Sequence, residues 1–372
     1  MDAERLINEF LEMVQITSLS LKEKTFADYL SGKLINMGIE VYIDKAGEKC
    51  DGNTGNIIAR LKGNTEAPTI MLGAHMDTVV PGDNIKPQIK NGYIYSDGTT
   101  ILGSDDKAGI AAILEAIRYI NENNIKHGDI ELVFFISEEG GMFGSKHLDY
   151  SKINSKLAFI LDSSGSVGNV IIQGPAQMRI EATINGKAAH AGIAPEEGIN
   201  AIQVASRAID NMNLLRIDHE TTANVGIIKG GSATNIVCDS VYTRFEARSL
   251  NNDKLKAQSD HMIECINTAC KEYNTTCDLK ATLNYPAFAI DKNSDIAKLV
   301  TKAIESIGQK ANLISSGGGS DTNILNGNGI AAVTLAIGMN NVHTTSENIA
   351  IESIVKSAEL VVAIIKNQVQ NS

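Results

Sequence analysis

Short apolar runs alternate with helix-spaced patterns along most of the chain. AERLINEFLEMVQI (3–16) carries apolar residues at helical spacing. A second helix is predicted from near Ser20 to just before Gly38, where glycine signals the end. TIMLGA (69–74), IELVFFI (130–136), LAFIL (157–161) and IAAVTLAI (330–337) are continuous apolar runs of strand length. KAGIAAILEAIRYINE (107–122) and AIESIVKSAELVVAIIKNQ (350–368) return to helical periodicity. Apolar strands alternating with helices predict an α/β domain whose central sheet is buried on both faces.

The middle of the chain is patterned differently. QMRIEATING (177–186) alternates as a half-buried strand does, and EGINAIQVASRAIDNM (197–212) is helical. TTANVGIIKGG and SVYTRFEARSL read as two strands, DKLKAQSDHMIECINTACKEY (253–273) as a helix and CDLKATLNY (277–285) as a last strand. That order is βαββαβ, the ferredoxin-like α+β unit. The expected division is therefore 1–176 with 287–372 as one discontinuous domain, and 177–286 as a domain inserted into it.

Composition narrows the class. At 372 residues the chain exceeds one ordinary core, and 43% hydrophobic with 21% charged residues reads as a soluble globular protein. A net charge of −11 opposes binding to phosphate backbones, so nucleic acid is excluded as a partner. No apolar run is long enough to span a bilayer, and MDAERLINEF does not read as a signal peptide. The five cysteines are an odd count without a CxxC pair, which fits a reducing cytoplasm.

The polar residues that follow the strands carry the chemistry. TIMLGA is followed by His75-Met76-Asp77, IELVFFIS by Glu138-Glu139, LAFIL by Asp162, and IAAVTLAIG by His343 after a short loop. Asp105-Asp106 precede the helix predicted from Lys107. In open α/β sheets such groups converge beyond the carboxyl ends of strands. Each alone has a plain reading: a loop polar pair, a solvated turn, an Asx-turn or a helix cap. Together, histidines and carboxylates without cysteine suit zinc or a similar divalent ion. Other signatures fail. His219-Glu220 opens like HExxH, but Ala223 stands where the second histidine belongs. GxSxG and Walker loops are absent, and GNGIAA (327–332) leads into a strand instead of following one, so dinucleotide binding is rejected.

With these residues in place, the chain resembles the di-zinc metallopeptidases of the peptidase T and glutamate carboxypeptidase superfamily, nearest the tripeptidase T branch. The likeness runs through AHMDTV (74–79), DGTTILGSDDKAG (97–109), SEEGGMFGS (137–145), LDSSG (161–165), GKAAHAGIAPEEGINAI (186–202), GGSATNIV (230–237), GGGSDTN (317–323) and NVHTTSENI (341–349). It implies a catalytic domain with an inserted lid and dimerisation domain. It implies two zinc ions, with cobalt or manganese as substitutes, bridged by Asp105. His75 and Asp162 would complete one metal site, Glu139 and His343 the other, and Asp77 would orient His75. Glu138 would be the general base for a hydroxide bridging the ions. Between Glu138 and Glu139 the residues alone do not choose; the resemblance does. Three carboxylates and one hydroxide would neutralise two divalent ions.

The resemblance also implies that His190 stabilises the oxyanion from the partner subunit of a homodimer, and that Asn235 and Arg248 hold a substrate carboxylate. Gly318 and Gly319 would let backbone approach the substrate; the plain reading is a flexible loop. Relatives often carry a cis peptide after the bridging aspartate, so a cis Asp105–Asp106 bond is expected. The expected activity is cleavage of short peptides, as an aminopeptidase on tripeptides. Asp162, where carboxypeptidase and deacylase relatives usually carry Glu, favours that activity. The alternative is a carboxypeptidase, or an amidohydrolase or deacylase of N-acyl amino acids, with the same metal centre. A non-catalytic peptide-binding module is disfavoured because every ligand and base position is filled.

Overall fold

The computed structural model describes residues 1–370. The chain divides into two compact units. One comprises Met1–Ile172, Ala289–Ser315 and the segment from Ser320 onward, and the other Gln173–Phe288 with Ser316–Gly319.

The larger unit is built on a mixed sheet. Its strands lie in the spatial order Glu40–Ile43, Ile57–Leu61, Ile130–Phe135, Ile70–His75, Leu157–Ser164 and Ala331–Asn340. The last four run parallel, and Ile57–Leu61 is antiparallel to both its neighbours. Neighbouring residues along each strand enter different cores. Ile57, Leu72, Phe134 and Phe159 join one hydrophobic cluster, while Ile58, Met71, Phe135 and Ile160 join another. This alternation is why the strands read as unbroken apolar runs: both faces are covered. Helices Ala3–Val14, Ser104–Glu122 and Ile351–Gln370 pack together and supply the larger cluster. Replacing one of its fully buried leucines with alanine is expected to cost about 2–5 kcal/mol.

Two local predictions shift. The strand predicted to stop at Leu161 continues to Ser164, so Asp162 lies within it. The second helix starts at Lys24, not near Ser20. Residues 20–23 form a turn instead, with Leu21 at φ 69° and its N–H donated to the Glu23 carboxylate.

The smaller unit contains a five-stranded antiparallel sheet. Its four long strands lie in the order Thr221–Gly230, Ser240–Ser249, Ala176–Asn185, Thr276–Tyr285, the ferredoxin-like arrangement. Helices Ala201–Asp210 and Asn252–Glu272 cover one face through Val204, Ala208, Met262 and Ile266 against Ile180, Val241 and Phe245. Asn200 and Asn251 cap these helices, each accepting two backbone N–H bonds. Along Ser240–Ser249 the alternate residues Tyr242, Arg244, Glu246 and Arg248 are not buried in that core.

Candidate metal centre

Because Ile130–Phe135, Ile70–His75, Leu157–Ser164 and Ala331–Asn340 run parallel, their carboxyl ends share one edge. His75 is the last residue of its strand, Asp162 lies near the end of the next, and Glu138, Glu139 and His343 follow theirs within a few residues. Donor atoms of His75, Asp105 and Asp162 lie within 4.8 Å of one another, as do those of Asp105, Glu139 and His343, and those of His75, Glu138 and Glu139. Asp105 Oδ1 is 3.0 Å from His75 Nε2, whereas its Oδ2 is 3.3 Å from His343 Nε2. One carboxylate thus offers a separate oxygen to each histidine. His75 Nε2 also lies 3.6 Å from Asp162, and His343 Nε2 2.6 Å from Glu139.

His75 is fixed from behind. Its Nδ1 donates to the Asp77 carbonyl oxygen at 2.9 Å, and the Asp77 carboxylate lies farther off at 3.4 Å. A carbonyl only accepts, so Nδ1 carries the hydrogen and a neutral His75 turns the Nε2 lone pair toward Asp105 and Asp162. The Asp77 carboxylate instead accepts from Glu138 N, Glu139 N and Ser20 Oγ, at 2.9, 3.2 and 2.5 Å. It therefore anchors the backbone of both glutamates.

The Asp105–Asp106 peptide is cis. Helix Ser104–Glu122 is non-helical at these two residues, which separates their side chains. Asp106 is fully buried and accepts the His75 backbone N–H at 3.2 Å, so it supports its neighbour from the interior and is not a solvated cap. Gly109 lets the helix approach: a Cβ there would lie 2.5 Å from both Asp106 Oδ1 and the Leu161 carbonyl.

Several acids around the centre are driven toward their neutral forms. Burial, followed by the Asp162 charge, holds Glu138 and Asp106 well above the usual carboxylate range. Burial raises Asp162 to about 6. The same cause raises Asp321 to about 7 against the Ser145 hydroxyl bond, which is 2.5 Å long. Burial also opposes a charge on His75, but bonds to Asp105, Asp162 and Asp77 outweigh it and raise its pKa well above normal. At His343 the bonds to Asp105 and Glu139 come first and raise it to about 10.

These residues fit a pair of divalent cations. An imidazole lone pair facing two carboxylates is a contact between acceptors, favourable only with a positive charge between them. A proton meets that need, which is why the histidines are pulled upward; so does a metal ion. The donor set of two histidines and three carboxylates suits zinc, cobalt or manganese.

The remaining predicted residues belong to the smaller unit. His190 and Asn235 are exposed, and Ala191 N donates to the Asn235 carbonyl, bringing their two loops together. Arg248 donates through Nε and Nη2 to the two oxygens of Glu246, at 3.0 and 3.1 Å. Gly318 is exposed and donates to Ser316 Oγ. A Cβ at Gly319 would overlap the Tyr285 ring, so protein packing already requires that glycine.

Glu347 was not among the sequence candidates. Its buried carboxylate accepts from Leu102 N, Gly103 N, Ser104 Oγ and Asp105 N, at 2.6–3.2 Å. It lies four residues after His343, so one loop carries a candidate ligand and also clamps the segment carrying Asp105. The available signal was its place within NVHTTSENI. Asp321, in GGGSDTN, was missed for the same reason: the motif was visible but its contact with Ser145 was not.

The chain is similar to known proteins. Residues 71–367 match the profile of Peptidase family M20/M25/M40. The uncharacterized protein YqjE of Bacillus subtilis strain 168 is 45% identical, over 98% of each chain. The crystal structure of aminopeptidase PepT from Bacillus cereus ATCC 10987 is 46% identical, with a TM-score of 0.92 over 99% of both chains. That of a tripeptidase from Staphylococcus aureus Mu50 is 41% identical, with a TM-score of 0.96 over 100% of this chain and 99% of the other.

Proposed function

The chain belongs to peptidase family M20/M25/M40, and we propose that it is a metal-dependent aminopeptidase releasing the N-terminal residue of tripeptides. The observation carrying the metal chemistry is Asp105, which turns one oxygen to each of His75 and His343. The tripeptide preference rests on likeness to the aminopeptidase and the tripeptidase, both above 40% identity over essentially the whole chain.

In this reading His75 and Asp162 would hold one ion, Glu139 and His343 the other, and Asp105 would serve both. Zinc is the proposed native ion, with cobalt or manganese as substitutes. Bound divalent ions supply Lewis acidity, polarising the scissile carbonyl and making water more acidic. Glu138 then accepts a proton from the attacking water and delivers it to the leaving nitrogen. Asp77 holds the Glu138 and Glu139 backbones and fixes the His75 tautomer through its carbonyl.

Residues of the smaller unit complete the proposal. His190 donates to the developing oxyanion from the partner subunit of a homodimer, with this unit as lid and dimerisation domain. Asn235 and Arg248 hold the substrate carboxylate, and Gly318 and Gly319 shape the loop beside it. A cytoplasmic location is proposed, supported by five free cysteines. No helix among the described residues is long and apolar enough to cross a membrane.

The test is a peptide panel after loading with zinc, cobalt or manganese, with products identified by mass. Free tripeptides should lose their N-terminal residue and N-acetylated ones should remain intact. Cleavage of only the blocked peptides would replace this reading with the deacylase one. Sedimentation of the active enzyme as a monomer would contradict the role of His190.

A further inference from the structure

Arg248 is held by more than one neighbour. Two of its five N–H donors go to the Glu246 carboxylate, and Nη1 lies 3.5 Å from the Gly317 carbonyl. One N–H on each terminal nitrogen is left, and the terminal Nη1–Nη2 edge is not occupied by Glu246, which takes the Nε–Nη2 side. Glu246 is fixed in turn: its Oε2 accepts from Gln177 Nε2 at 2.6 Å, and Gln177 Oε1 accepts from Asn284 Nδ2 at 2.7 Å.

The sheet explains how three strands feed one arginine. Gln177 stands directly opposite Arg248 in the register. On its other side Leu283 opposes Met178 and Tyr285 opposes Gln177, leaving Asn284 as the extra residue of a bulge. A bulge is a usual device for re-aiming a side chain, and here the bulged residue reaches Gln177. Each link has its donor matched to an acceptor, in the direction Asn284 to Gln177 to Glu246, with Arg248 donating from the other end.

We propose that Asn284, Gln177 and Glu246 are positioning residues that aim the outer edge of Arg248 at the C-terminal carboxylate of the peptide. Glu246 occupies the Nε side of the guanidinium, so a bound carboxylate takes the terminal Nη1–Nη2 edge. That edge matches a carboxylate with two parallel hydrogen bonds. Glu246 also cancels the charge of Arg248, so recognition rests on the geometry of those two bonds more than on net positive charge. This inference depends on the proposed role of Arg248 as the carboxylate anchor.

The test compares a tripeptide with its C-terminal amide, using the metal-loaded full-length enzyme. The readout is the ratio of kcat/KM for acid over amide. Arg248→Ala should collapse that preference. Glu246→Ala should lower it about ten-fold, mainly through KM for the acid, with Gln177→Ala lowering it less, about three-fold. Glu246→Gln keeps one acceptor oxygen and should fall between Glu246→Ala and the parent. Circular dichroism and metal content establish that each variant is folded and loaded, and Gln177→Ala serves if Glu246→Ala is not. If Arg248→Ala affects acid and amide equally, Arg248 is not the anchor and both readings fall. If Arg248→Ala is selective while the Glu246 and Gln177 variants keep the parental ratio, the positioning inference alone is overturned. A ratio that rises in Glu246→Ala would make Glu246 an electrostatic screen, which also overturns it.

Discussion

The metal-centre cluster of the larger unit and the Arg248 network of the smaller one hold their charges by different means. Around His75 the carboxylates are desolvated and largely gripped by backbone N–H groups, through Asp77, Asp106 and Glu347. Around Arg248 the contacts are between side chains on neighbouring strands, and Arg248 and Glu246 keep about a third of their surfaces exposed, at 30% and 35%. The pKa directions follow. Buried, mutually repelling acids rise, as Asp162 does to about 6. Arg248 stays charged: burial lowers it, and the bonds to Glu246 more than restore it. The first arrangement asks for a cation to complete it. The second is neutral already and contributes orientation.

Substitutions test this contrast, beginning where the expected effect is greatest. Glu138→Gln keeps the shape of the proposed base but not its proton affinity. It should lower kcat by about 10²–10⁴-fold while metal content, read by elemental analysis, stays at the parental level. Glu347→Ala removes the acceptor for three backbone N–H groups and the Ser104 hydroxyl. It should weaken metal affinity about 10–100-fold, read by competition with a chromogenic chelator. Unchanged affinity would make Glu347 a purely structural clamp.

Glu23 gives a pH signature. Burial, then the Asp77 charge, raises its carboxyl from 4.5 to about 7. Between these values the folded chain holds a proton that the unfolded chain has lost. Stability from this group is therefore complete below about 4.5 and is lost as pH rises through about 7. Glu23→Gln keeps an oxygen for the Leu21 and Ser137 N–H groups. Relative to the parent it should gain roughly 3 kcal/mol between pH 4.5 and 8, read by denaturant titration of the metal-free proteins. A pH-independent difference would contradict the assignment. The smallest effect belongs to the smaller unit. Arg244→Ala breaks a pair with Glu181 in which both side chains are partly exposed, and should change stability by less than about 1 kcal/mol.

Much of this was legible in the sequence because strand ends concentrate chemistry. His75, Glu138, Glu139 and Asp162 stand where apolar runs stop, and the parallel sheet brings them together. Asp105 lies in the kinked first turn of helix Ser104–Glu122 and His343 in a loop, where the resemblance, and not periodicity, assigned them roles. Glu347 and Asp321 were not assigned, because what they do is accept bonds from partners distant in the chain. Ser145, for example, lies 176 positions before Asp321. The Asn284–Gln177–Glu246 chain was hidden for another reason: it depends on a bulge at the last residues of its strand, where too few positions follow for a change in alternation to show. The start of the second helix was misplaced because Glu23 serves Leu21 and Ser137 instead of extending the helix.

The proposed metal chemistry depends on Asp105. The most direct measurement is titration of the metal-free protein with zinc, following heat and tripeptide hydrolysis at each addition, in the parent and in Asp105→Ala. The bridging arrangement predicts two ions per parent chain, activity that reaches its plateau with the second, and loss of that second ion and of hydrolysis in Asp105→Ala. Full activity with one ion, or two-ion binding unchanged in Asp105→Ala, would contradict it.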